Sequence, residues 1–74
     1  MNVDNINEYI QRRLKQEGLT SIPAVTAAQW LEQEGLLQDS KGRKGKQLRE
    51  LLRKNLIASS WQDANKRWHI DRME

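Results

Sequence analysis

Cysteine and phenylalanine are absent from this 74-residue sequence, and proline and histidine each occur once. Without cysteine the chain can form neither a disulfide nor a thiolate metal site. A chain of this length also buries only a thin core. The remaining metal-binding side chains are scattered singly or point to different sides of a helix, so we expect no metal and no other cofactor.

Long apolar runs are also missing, and none approaches the length that a membrane span requires. The first ten residues, MNVDNINEYI, lack the basic start and apolar centre of a signal peptide. The absence of cysteine is consistent with a reducing compartment. We therefore expect a single cytoplasmic domain over residues 1–74 that does not bind a membrane.

Groups that could perform catalysis are few. His69 is the one histidine, and its place in an alternating segment puts it on an outer face. Gly42 and Gly45 fit neither a phosphate-binding loop nor a dinucleotide-binding spacing. Because catalysis needs a positioned acid, base or nucleophile, we predict that the protein is not an enzyme and has no small-molecule substrate.

Positive charge is concentrated in one short segment. Residues 1–40 hold three basic and six acidic side chains, whereas residues 41–54 hold seven basic and one acidic. Residues 55–74 hold three of each. Clustering of this kind is the electrostatic footprint of a polyanion binder. It also suits a helix whose basic outer face meets only water.

Apolar spacing predicts two helices in the first half of the chain. The first lies near residues 4–17, ends at Gly18, and is marked by Val3, Ile6, Ile10 and Leu14. The second lies near residues 27–34, where Thr26 and Gln29 have capping-box spacing and Gly35 is the stop. Pro23 offers a competing, earlier start for this helix.

A polar loop, about 38–45, precedes a third helix near residues 46–55 that buries Leu48, Leu51 and Leu52. After it the period changes to two, with Trp68 and Ile70 pointing inward between polar residues. This pattern predicts a β-hairpin of roughly 57–62 and 67–71 around a turn at 63–66. The fold class is therefore mostly α with a C-terminal β-hairpin.

Three stretches of the chain resemble a known family: TAAQWL, LRELLRKNLI and the closing RWHIDR. They are similar to the small winged helix-turn-helix domains of the excisionase and MerR type. The resemblance covers residues 22–72 and leaves 4–17 as an additional N-terminal helix. The segment from Gly35 to Gly45 is longer than the tight turn that the family usually has.

The resemblance implies that helix 46–55 is a recognition helix in the major groove and that the wing hairpin 57–71 lies on the DNA backbone or minor groove. Gln47 could read adenine, and Arg49 or Arg53 could read guanine. Glu50 could pair with Lys46 and Lys54 or accept from a cytosine. The predicted DNA-binding residues are Lys41, Arg43, Lys44, Lys46, Gln47, Arg49, Arg53, Lys54, Lys66 and Arg67.

The sequence thus predicts a small DNA-binding protein, either a transcriptional regulator or an excisionase-like architectural factor, with double-stranded DNA as its partner. A module this short reads half a site, so we expect a homodimer or a cooperative assembly on DNA. The alternative is a non-catalytic interaction module whose basic face binds an acidic protein partner. RNA binding is a weaker third hypothesis, because the aromatic residues are few.

Overall fold

The computed structural model describes residues 3–37 and 46–73, beginning with a helix, α1, at Val3–Glu17. Ile6, Ile10 and Leu14 form one stripe of α1, and each is at most 1% exposed. The helix stops at Gly18, whose φ of 67° is a left-handed conformation that glycine adopts without a Cβ clash. The predicted first helix and its stop are confirmed.

The second helix, α2, spans Ala24–Gln33, and Pro23 is its N-cap. The predicted start at Ala27 is wrong, and the earlier start at Pro23 is correct. Proline favours this place because its φ, here −73°, is already compatible with entry into a helix. Thr26 and Gln29 therefore lie inside the helix and do not cap it. Gly35, with a φ of 75°, follows the helix as predicted.

The third helix, α3, spans Lys46–Arg53 and buries Leu48, Leu51 and Leu52, as predicted. It is two residues shorter than the predicted 46–55. Asn55 adopts a left-handed φ of 59°, and the amide of Leu56 then donates to the carbonyl of Leu51 at 3.0 Å. Asparagine tolerates this conformation better than most residues with a Cβ atom, so it closes the helix.

The sheet has one strand more than the sequence predicted. Its three strands, β1 (Ser21–Pro23), β2 (Ser60–Gln62) and β3 (Trp68–Asp71), are all antiparallel in the order β1-β3-β2. The hairpin of β2 and β3 lies within the predicted 57–62 and 67–71. β1 was missed because three residues that include a proline show no alternation. Proline is tolerated there because β1 is an edge strand.

Within the described ranges the protein is thus a small mixed α/β unit of three helices and a three-stranded antiparallel sheet. This order of elements is compatible with a winged-helix-like layout. None of the helices in these ranges has both the length and the apolar composition needed to cross a bilayer.

One apolar core joins the three helices to the sheet. Ile70, in the central strand, is fully buried, and Ile22 lies opposite it in β1. Trp68 is half-buried and packs against the same core, as its predicted inward position requires. The centre of the core is formed by the side chains with the least exposure: Ile6, Ile10, Leu14, Leu31, Leu48, Leu52 and Ile70.

Two polar side chains of α1 fasten that helix to the C-terminal half of the chain. Asn7 donates from Nδ2 to the carbonyl of Leu56 and accepts at Oδ1 from the amide of Ala58, both at 2.9 Å. Gln11 donates to the carbonyl of Asp71 at 3.0 Å and accepts from the amide of Met73 at 2.9 Å. α1 is therefore bound to the segments on either side of the hairpin.

Replacing Ile70 with alanine should reduce the free energy of unfolding by about 3 kcal/mol, because it leaves a cavity in the middle of the sheet. Urea denaturation followed by circular dichroism measures this change. Val25→Ala is the matched control, since Val25 is 69% exposed and its truncation should shift stability by less than about 0.5 kcal/mol. Equal shifts in the two variants would contradict the assignment of Ile70 to the core.

Candidate nucleic-acid interface

The basic residues of α3 lie on its exposed side because its leucines occupy the other. Lys46, Arg49, Glu50 and Arg53 are exposed and together line one shallow depression of the surface. With 3.6 residues per turn, positions 46, 49 and 53 fall on the same side of the helix. Burial of Leu48 and Leu52 on the core side fixes that orientation.

No described carboxylate lies within ion-pair distance of an α3 cation. In the part of the chain that the structure describes, the contacts between oppositely charged side-chain types are Arg13–Glu17 at 3.2 Å and His69–Asp63 at 2.7 Å, and the second is an ion pair only when His69 is protonated. Glu50 therefore forms neither of the foreseen pairs, with Lys46 or with Lys54. An exposed pair gains little free energy in water and must order two long side chains. The positive charge of α3 thus remains available to an anionic partner.

The turn between β2 and β3 is organised by Asp63. Its amide donates to the carbonyl of Arg67, and its carbonyl accepts from the amide of Lys66, both at 2.9 Å. Its Oδ1 atom accepts from the amides of Asn65 at 2.8 Å and Arg67 at 2.9 Å. Its Oδ2 atom lies 2.7 Å from Nε2 of His69. One aspartate thereby holds the backbone of the whole turn.

These contacts lower the pKa of Asp63 from its ordinary value of 3.8. The hydrogen bond with His69 is the largest cause, followed by the bond from the amide of Arg67. Partial removal from water acts in the opposite direction, and the amide of Asn65 adds to the lowering. Hydrogen bonds directed at a carboxylate stabilise its charged form, so Asp63 remains ionised well into the acidic range.

The turn presents two adjacent cations, Lys66 and Arg67, both exposed. Lys66 has a φ of 63°, in the left-handed region that is unfavourable for a residue with a Cβ atom. Its amide bonds to Asp63, and its carbonyl accepts from Nε2 of Gln62 at 3.1 Å. The surrounding hydrogen bonds hold Lys66 in this conformation.

Trp61 lies on the outer face of the sheet and is 44% exposed. Its ring stacks on His69, with centroids 4.4 Å apart, and its Nε1 donates to Oδ1 of Asp71 at 2.9 Å. The outer position predicted for His69 is confirmed, because it alternates with the buried Ile70. The sequence did not decide whether Trp61 lies in the core or at the surface, and the structure places it at the surface.

The predicted DNA-binding residues fall into two described groups. Lys46, Arg49 and Arg53 share the exposed face of α3, with half-buried Gln47 beside them and exposed Lys54 just after the helix, whereas Lys66 and Arg67 lie in the hairpin turn. The other three predicted residues, Lys41, Arg43 and Lys44, belong to the predicted loop 38–45 and lie outside the described residues.

Sequence reasoning missed two side chains that bind backbone groups near these cations: Asp63 within the turn, and Asn7, whose partners follow α3. Asp63 had a readable signal: an aspartate that opens the stretch DANKR can bond the amides two and four residues ahead. Asn7 had none, because its partners Leu56 and Ala58 are distant in sequence.

No family model matches the chain, and no curated protein or solved structure matches it. Among the described residues, no group of three or more histidine, cysteine, aspartate or glutamate side chains could hold a metal ion. The features that bear on function are therefore the geometry of α3 and that of the turn at 63–67.

Lowering the pH below 4 should destabilise the protein partly through Asp63. A carboxyl group whose pKa is lower in the folded than in the unfolded chain stabilises the fold above its unfolded pKa, ordinarily 3.8. That contribution is lost as the pH falls through the lower pKa that Asp63 has in the folded chain. The Asp63→Asn variant should therefore lose less stability than the parent between pH 5 and pH 2. Thermal melts across this range measure the difference, and parallel losses in both proteins would contradict the assignment.

Proposed function

We propose that this protein binds double-stranded DNA through α3 and the β2–β3 turn. The observation that carries the proposal is the exposed face of α3, where Lys46, Arg49 and Arg53 lie opposite buried leucines and have no ion-pair partner among the described residues. A rigid line of cations on a short helix suits the phosphates and base edges of a groove.

The dimensions of α3 support this proposal. Its eight residues span about 12 Å at a rise of about 1.5 Å per residue. An α-helix with its side chains is about 10–12 Å in diameter, and the major groove of B-DNA is about 12 Å wide, so α3 can enter it. Its buried face would remain on the core while its outer face meets the bases. A winged-helix-like order of elements is consistent with that use, although fold alone never decides function.

We assign roles within this interface by side-chain chemistry. Arg49 and Arg53 would read guanine by bidentate bonds, and Gln47 would read adenine. Lys46 at the start of α3 and Lys54 just after its end, with Lys66 and Arg67 of the wing, would neutralise phosphates. Lys41, Arg43 and Lys44 join this second set on the basis of their charge alone.

The biological role that follows is that of a small transcriptional regulator or an excisionase-like architectural factor in the cytoplasm. One short recognition helix reads few base pairs, which limits the affinity of a single copy. A homodimer or a cooperative array on DNA would supply the missing contacts. The experiment that tests DNA binding itself is fluorescence anisotropy of labelled random-sequence duplex across a salt series.

DNA affinity should fall linearly with salt on logarithmic axes, with a slope of about 0.9 for each phosphate contacted. Arg49→Gln and Arg53→Gln should each cost about 1–3 kcal/mol on a selected site and much less on random duplex. Lys15→Gln is the matched control, because Lys15 is an exposed cation of α1 outside the interface. A similar loss in the control would show that net charge, and not α3, governs binding.

Complete absence of binding at low salt by folded protein would refute the proposal. The basic face would then be assigned to the alternative partner, an acidic protein.

Removing the charge of Glu50 should change DNA affinity in the opposite direction, that is, increase it. Glu50 lies among the α3 cations and forms no ion pair with any residue that the structure describes, so its charge would repel a nearby phosphate. Glu50→Gln should therefore raise the affinity for random duplex about fivefold, which corresponds to about 1 kcal/mol for one charge about 4 Å away in water. The same anisotropy titration at low salt measures the change. Glu8→Gln, an exposed carboxylate on α1, is the control, and an equal gain there would exclude a local effect.

A further inference from the structure

We infer that Asp63 is a positioning residue for the DNA interface: it fixes the turn that presents Lys66 and Arg67 together to the backbone. This inference rests on the proposed function, which it deepens by assigning an anionic side chain to a polyanion-binding surface. A carboxylate in that place repels phosphate, so a reason for its presence must lie in what it holds.

An unusual number of contacts converges on Asp63. Its side chain accepts from the amides of Asn65 and Arg67 and contacts His69, while its own backbone bonds to Lys66 and Arg67. No other side chain of the turn has such a set of partners among the described residues. The side chain thus replaces the water that would otherwise solvate these amides.

The backbone at Lys66 and Arg67 is also constrained. Lys66 adopts a left-handed φ of 63°, and a free peptide with lysine at this position would rarely do so. The amide of Arg67 is directed at Oδ1 of Asp63. The backbone of both residues is therefore held in one arrangement before any partner arrives. Ordering them in advance reduces the entropy lost when they bind phosphate.

Side-chain contacts also join the turn to the sheet. Oδ2 of Asp63 reaches back to His69, which stacks on Trp61. Trp61 is in turn bonded to Asp71 at the far end of β3. The turn is thus tied through its aspartate to the outer face of the sheet, and the position of Lys66 and Arg67 depends on that face.

Two substitutions of Asp63 separate positioning from simple charge. Asp63→Asn removes the negative charge but keeps an oxygen that can accept from Asn65 and Arg67, so DNA affinity should equal or exceed that of the parent. Asp63→Ala removes the same charge and the acceptor, and its affinity should fall by at least about threefold at low salt, with a salt slope smaller by up to about 1.8 for two lost phosphate contacts. If both variants bound DNA more tightly than the parent, Asp63 would be only a repulsive charge and the inference would be overturned.

The decisive measurement is a double-mutant cycle. In a Lys66→Gln/Arg67→Gln background, Asp63→Ala should no longer lower DNA affinity, because the groups that it positions are gone. An undiminished loss in that background would mean that Asp63→Ala acts through the fold as a whole and would overturn the inference. Glu8→Ala is the matched control, since it removes an exposed carboxylate of α1 that is not part of the Asp63–His69–Trp61–Asp71 contacts.

A measurement made without DNA tests the positioning role of Asp63 separately from DNA binding. Amide hydrogen exchange at Asn65 and Arg67 should accelerate in Asp63→Ala and not in Glu8→Ala. Faster exchange with unchanged DNA affinity would leave DNA binding in place and refute the positioning role. Failure of the parent protein to bind duplex at low salt would refute both. All variants are compared at a temperature well below their melting transitions.

Discussion

Burial of Leu48, Leu51 and Leu52 is the constraint that directs the basic face of α3 outward. Three leucines on one side of an eight-residue helix leave its remaining positions only the solvent side. Because the leucines pack into a core shared with α1, α2 and the sheet, α3 cannot rotate without exposing them. The line of cations is therefore as rigid as the core beneath it.

The same core is thin, and polar contacts supplement it. Asn7 and Gln11 satisfy backbone groups on either side of the hairpin, so α1 stabilises the C-terminal half without adding apolar area there. These bonds are exposed or partly buried, so each contributes only about 1 kcal/mol, but hydrogen bonds are directional. The two side chains consequently specify how α1 is placed, and they link the first helix to the position of the β2–β3 hairpin.

The parts of the fold that sequence predicted are those governed by local pattern. The stripes of α1 and α3 and the stops at Gly18 and Asn55 are visible in the order of residues, as is the alternation around Ile70. β1 was not predictable, because Ser21–Pro23 becomes a strand only through pairing with β3. The cations of the site could be predicted from the clustering of charge in the sequence. The contacts around them could not, since Asn7 bonds to residues distant in sequence and the stacking of Trp61 on His69 depends on strand register.

The last strand of the chain is also the central strand of the sheet. β1 and β2 do not pair with each other, so each can join the sheet only after β3 is made. Pairing of β2 with β3 closes the short segment 63–67, whereas pairing of Pro23 with His69 closes most of the chain. Closure of a longer loop costs more chain entropy, and such non-local contacts slow folding. The turn that presents Lys66 and Arg67 is thus also the shortest closure through which the sheet can begin to form.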